Sequence, residues 1–191
     1  MSDEFSFSLT DQEKTYLLDL ARLSIARHFK GDYSEGTLPP PPTEHLGAPL
    51  GAFVTLKKQG HLRGCIGRLS DEAPLYLTVS RMALAAAFND PRFPPLAAAE
   101  FGELEYDISI MGPITPCTDP ERVSVGRHGL IMKQGRRQGL LLPQVPVEWR
   151  WNREQFLDQT CNKAGLPPQT WRKAWKEDGV ELYWFEAVVI G

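Results

Sequence analysis

The chain has 191 residues, 42% of them hydrophobic and 24% charged, a balance that excludes disorder along its length and fits one domain or a domain with a lobe. The formal net charge of −3 gives no whole-chain argument for nucleic acid. Three widely spaced cysteines, Cys65, Cys117 and Cys161, fit free thiols in a reducing compartment better than a disulfide framework.

The N-terminal Met1-Ser2-Asp3-Glu4 lacks the basic start and apolar core of a secretory signal. No apolar run approaches the roughly 20 residues that span a bilayer. A cytoplasmic protein without a membrane segment is the expectation. Thr10-Asp11-Gln12-Glu13 has the form of a capping box, and Leu17, Leu20, Ala21, Ser24, Ile25 and His28 then fall on one helical face until Gly31. Residues 32–48 form a loop stiffened by Pro39 to Pro42, which reads as a surface connector. Residues 51–57 and 61–69 read as two strands of a hairpin turning at Gln59-Gly60.

Ser70 or Asp71 is the expected cap of the next helix, with Pro74 in its first turn. Residues 75–88 are apolar on more than one side, as in a helix buried against a sheet. Asn89-Asp90-Pro91 ends it. Residues 103–111 alternate, with Leu104, Tyr106, Ile108 and Ile110 facing a core and Glu103, Glu105, Asp107 and Ser109 facing water. A second hairpin spans 126–142, with a turn over 134–137. Asn152 caps a helix over 153–163 that Gly165 stops. A shorter helix from Pro167 through Trp175 and a strand over 180–190 close the chain.

No dinucleotide or phosphate loop, no H-E-x-x-H, no nucleophile elbow and no Cys/His cluster at zinc spacing is present, so neither a cofactor nor a metal is assigned. The candidate site is the strand segment Leu62-Arg63-Gly64-Cys65-Ile66-Gly67. Glycine inside a strand marks a bulge or a close backbone approach. Regular alternation would put Arg63 and Cys65 on one face, over an open floor left by Gly64 and Gly67. A cation near a thiol favours the thiolate, which makes Cys65 a candidate nucleophile. The structural alternative is a small buried Cys65, with Arg63 bridging carbonyls or a carboxylate. Asp90 and Arg92 in a proline-fixed loop, and Gln144 and Glu148 after the second hairpin, are further candidates, Glu148 or Asp90 as a base.

This segment resembles the signature of the AMMECR-one domain family, whose prokaryotic members are called AmmeMemoRadiSam system protein A. The resemblance continues through Ala86-Ala87-Phe88-Asn89-Asp90-Pro91-Arg92-Phe93, residues 105–110, Gly139-Leu140-Leu141-Leu142-Pro143-Gln144-Val145, Phe156-Leu157 and Cys161-Asn162-Lys163-Ala164-Gly165-Leu166. It implies an α/β fold of the α+β type: one domain over 1–191 with a mostly antiparallel sheet packed by helices and a smaller second lobe. It also implies a neighbourhood with a Memo-like protein and a radical SAM enzyme, but no reaction.

Three functions stay open. The leading one is an accessory component using Arg63, Gly64, Cys65, Ile66, Gly67, Asp90, Arg92 and Gln144 as a binding surface. The second is an enzyme with Cys65 as nucleophile or metal ligand. The third is a nucleic-acid binder using Arg63, Arg68, Arg127, Arg136, Arg137 and Arg150.

Overall fold

The computed structural model describes residues 7–70, 72–177 and 179–191. It divides into two compact units, residues 7–111 with 188–191, and residues 112–187. The strand pairings within each are antiparallel, so the fold is α+β, as predicted.

The first unit opens with α1 (Asp11–Lys30). The predicted capping box is present: Thr10 Oγ1 accepts from the Glu13 amide and the Glu13 carboxylate accepts from the Thr10 amide at 2.8 Å. Gly31, at φ 72, ends the helix in the left-handed conformation that glycine adopts without penalty. β1 (Ala52–Lys58) and β2 (His61–Arg68) form the predicted hairpin. Gln59 and Gly60 both have positive φ, 52° and 75°, as a two-residue turn matched to strand twist requires. β3 (Leu104–Met111) pairs with the other side of β1, which leaves β2 at the sheet edge.

α2 (Leu75–Phe88) covers one face of this sheet. Its Leu75, Val79, Met82, Ala83 and Ala86 meet Ala52, Val54 and Leu56 of β1 and Ile108 and Ile110 of β3, with Leu17, Ala21 and Ile25 of α1 closing the core. Inside, the Ser24 and Ser80 hydroxyls bond at 2.7 Å and Tyr33 reaches Ser80 at 2.9 Å, so these two buried serines are satisfied. Two expectations fail here. Pro74, not Ser70, holds the N-cap position of α2, and no side chain caps it. Asp71 lies outside the described residues. On β3, Ser109 is buried instead of wet.

The loop after α1 is tied back to it. The Glu13 carboxylate, 2% exposed, accepts from Thr10, from the Thr43 hydroxyl at 2.5 Å and from His45 Nδ1 at 3.2 Å. Burial opposes its charged form, but these donors outweigh burial and hold the pKa at about 2. A depressed carboxylate adds stability that is present above the ordinary value of 4.5 and is lost as pH falls toward about 2. Glu13→Ala should therefore cost about 1–3 kcal/mol at neutral pH. Urea midpoints followed as pH is lowered should show that difference shrinking below 4.5.

In the second unit β4 (Thr115–Pro116) and β5 (His128–Gln134) pair with β7 (Val180–Ile190), and β6 (Arg137–Leu141) pairs with β5. Pairing continues to Gln134 and Arg137, so the turn is Gly135-Arg136, two residues shorter than expected. A helix of five residues, α3 (Gln144–Glu148), follows β6. α4 (Arg153–Lys163) has the predicted Asn152 cap and places Phe156, Leu157 and Cys161 against Leu130, Met132 and Leu182. The helix expected from Pro167 to Trp175 is a single 3-10 turn, Thr170–Lys173. Gln169 and Trp175, at φ 66 and 60, bound it, because neither has helical backbone.

Candidate functional site

The candidate strand is not a regular one. Leu56 pairs with Gly64 but Lys57 pairs with Leu62, so Arg63 is an extra residue, a β-bulge. The two glycines also do not leave an open floor. A Cβ on Gly64 would lie 2.1 Å from the Ala86 carbonyl oxygen of α2, and one on Gly67 would lie 2.2 Å from the Phe53 ring. Gly64 lets the helix backbone press on the sheet edge, and Ile66 packs toward the same core.

Asp90 and Arg92 close that edge. The Asp90 carboxylate accepts from the Cys65 amide at 2.8 Å, and Arg92 Nη2 donates to the Cys65 carbonyl at 3.2 Å. The two side chains thus take the part of a neighbouring strand for one residue, satisfying backbone groups that an edge leaves unpaired. They also bind each other: Arg92 Nε and Nη2 donate to Asp90 at 2.9 and 2.7 Å, and its amide at 3.1 Å. Asp90 is 5% exposed. The Arg92 guanidinium above all, then the Cys65 and Arg92 amides, hold its carboxyl well below the ordinary range against the effect of burial.

Arg63 is similarly engaged. Its Nε and Nη2 donate to the two Glu100 oxygens, both at 2.9 Å, in the fork geometry that suits arginine to carboxylate. This is the carboxylate-bridging alternative. Arg63 and Arg92 both lie over the Phe93 ring, at 5.9 and 5.5 Å. Glu100, bound by Arg63 and the Ala97 amide, has its pKa lowered to about 2. Arg63 therefore meets a carboxylate instead of standing as an uncompensated cation beside the thiol.

Cys65 is half-buried, and Thr55, its cross-strand partner, donates its hydroxyl to the sulfur at 3.2 Å. Cys117 and Cys161 are buried, and burial pushes their thiols up to about 12 and about 11. In the folded protein an alkylating agent should label Cys65 first, with mass spectrometry showing one adduct, lost in Cys65→Ser. Faster labelling of either buried thiol would contradict this arrangement.

The family model described as AMMECR1 matches residues 18–190. The chain belongs to the AMMECR1 family. This AMMECR1 chain is 40% identical over 190 residues to Protein MK0488 of Methanopyrus kandleri, covering 95% of this chain and 89% of that one. It is 38% identical over 180 residues to a protein of the bacterium Aquifex aeolicus, covering 91% and 89%. The crystal structure of uncharacterized protein PH0010 from Pyrococcus horikoshii superposes with a TM-score of 0.81 at 37% identity, covering 96% of this chain and 93% of that one.

Within the AMMECR1 fold the remaining candidates are differently placed. Gln144 and Glu148 belong to α3 of the second unit, Gln144 half-buried and Glu148 exposed. Of the arginines, Arg127 is paired with Glu186 at 3.0 Å and Arg137 donates to the Gly165 carbonyl at 3.3 Å, while Arg136 and Arg150 are exposed. Glu105 and Asp107 serve separate local ends: Glu105 accepts from the Gly60 amide and Asp107 pairs with Lys57. Sequence reasoning missed Glu100, Thr55 and Phe93. Thr55 left a signal, since the hairpin register from the Gln59-Gly60 turn sets it near Cys65, and Phe93 follows Arg92 directly in the chain; Glu100 lies 37 residues from its partner. Among the described residues, no helix is long and apolar enough to cross a membrane.

Proposed function

We propose that the chain is an accessory binding component that acts with a Memo-like protein and a radical SAM enzyme in a cytoplasmic setting. The edge of β2 with Asp90 and Arg92 forms its binding surface. One observation carries the reading: the charged groups beside Cys65 are spent on structure. Asp90 and Arg92 hold the strand's own backbone, and Arg63 holds Glu100. A carboxylate fixed by four nitrogen donors is a poor general base, whereas a rigid, hydrogen-bonded edge is a good template for a partner. Around it stand Leu62, 43% exposed, and the Arg92 side chain, 53% exposed. The test is reconstitution with the two partners, with binding followed by titration and products compared with and without this chain. Co-binding with unchanged chemistry on its own supports the proposal. Failure to bind either protein contradicts it.

The second reading, Cys65 as nucleophile or metal ligand, draws on its being the half-buried thiol of the three. Its test is whether Cys65→Ser abolishes an activity while binding is kept.

A further inference from the structure

We propose that His128 is a proton-sensitive latch: uptake of a proton by its ring releases the turn that runs from Ser124 to His128. Two bonds between the same pair of residues close this turn. The Ser124 amide donates to His128 Nδ1 at 3.1 Å, and the His128 amide donates to the Ser124 carbonyl at 3.0 Å. The first bond exists only while Nδ1 keeps its lone pair. It therefore selects the neutral ring, with the proton on Nε2. A proton on Nδ1 would set one N–H against another, so the charged ring opposes the closed turn.

The surroundings act in the same direction. His128 opens β5 opposite Glu186 of β7, half-buried against the Trp184 ring at 4.7 Å. Arg122, in the 3-10 turn Pro120–Arg122, lies over that indole at 5.7 Å, and the indole Nε1 donates to the Thr115 hydroxyl of β4 at 2.8 Å. Glu186 is already paired with Arg127 at 3.0 Å, and Glu121 with Arg153. α3 packs on the turn through Val147 against Gly126, and its one charged residue, Glu148, is exposed. An imidazolium would thus add a third positive charge beside Arg122 and Arg127, with Glu186 as the facing carboxylate.

Burial holds the ring below its ordinary pKa of 6.5; Glu186 opposes this, and Arg127 and Arg122 reinforce it. A lowered histidine pKa gives stability that is complete above 6.5 and is lost as pH falls toward the lower folded value. The latch is therefore closed at neutral pH and loosens in mild acid. Its opening uncovers the Trp184 indole, which His128 and Arg122 flank.

The test is amide hydrogen exchange by NMR on the full chain between about pH 7.5 and about pH 5.5, each rate divided by the intrinsic rate at that pH. Protection of the Ser124 amide should fall by up to about tenfold, since the lower end lies about one unit under the ordinary histidine pKa. His128→Asn places a side-chain oxygen near the position of Nδ1, which accepts without titrating, so its Ser124 protection should not change with pH. His128→Phe keeps a ring without an acceptor and should leave Ser124 unprotected throughout. Nitrogen shifts of the parent's His128 ring at about pH 7.5 should show the proton on Nε2, a measurement that needs no variant to fold. Equal Ser124 protection at both ends of the range in the parent overturns the proposal. So does an equal fall in His128→Asn, or a ring that carries its proton on Nδ1 at about pH 7.5.

Discussion

Gly64→Ala should leave the chain poorly folded. The added methyl would meet the Ala86 carbonyl oxygen at 2.1 Å and its carbon at 3.1 Å. Both are helix backbone, with no side-chain rotation to relieve them. Either α2 lifts from β2 or the strand shifts, and each exposes part of the core around Ala83, Ala86 and Val54. Overpacking in a well-packed interior costs about 1–3 kcal/mol, and a backbone-against-backbone clash belongs at or above the upper end. With about 2–4 °C of melting temperature per kcal/mol for a chain of this size, a fall of roughly 6–12 °C, or loss to the insoluble fraction, is expected. Gly102→Ala is the control: nothing lies within 4 Å and its φ is not left-handed. It should stay within about 0.5 kcal/mol of the parent. Equal melting of Gly64→Ala and the parent would contradict the close approach.

Asp90→Ala should be the most damaging change among the polar groups at the β2 edge. It removes the acceptor of the Cys65 amide and the anion that positions Arg92, so the Cys65 carbonyl loses its donor as well. Truncating one member of a buried pair costs about 3–5 kcal/mol. Arg92 is half exposed, and water screens its share. About 2–4 kcal/mol remains, chiefly from the buried amide left unsatisfied. The sign with pH follows from the depressed Asp90 carboxyl: its stabilisation is complete above the ordinary aspartate range and is lost as pH falls through its lower folded value. The gap between parent and Asp90→Asn in denaturant midpoint should be widest at neutral pH and close in strong acid. An unblocked edge strand also invites pairing between chains, so Asp90→Ala should self-associate with rising concentration in light scattering. A fully stable, monomeric Asp90→Ala protein would show that the clamp is incidental.

Local chemistry made much of the fold legible. The Thr10–Glu13 capping box, the Asn152 cap, the Gln59-Gly60 turn and the apolar face of β3 each act within a few residues, and each appears in the structure. Failures came where distant parts decide. The bulge at Arg63 depends on how β2 meets β1, and the Arg63–Glu100 pair depends on folding a loop back over 37 residues. Gly64 reads as a close approach but carries no sign that the approach is to α2, so the expected open floor is in fact helix backbone. The helix expected at 167–175 failed because propensity gives no warning of left-handed residues at both ends. At the site, Cys65, Asp90 and Arg92 were singled out one by one. That the two charged residues clamp the cysteine's own backbone was not legible, because it needs the edge position of β2.

We propose the β2 edge as a binding surface before a catalytic centre. The most direct test is one reconstitution with the Memo-like protein and the radical SAM enzyme, run side by side for the parent, Cys65→Ser and Leu62→Asp. Leu62→Asp places a charge on the exposed edge and should weaken complex formation, whereas Cys65→Ser should leave both assembly and products as in the parent. Full assembly by Cys65→Ser with the products abolished, and unimpaired binding by Leu62→Asp, would contradict the account and move Cys65 into the chemistry.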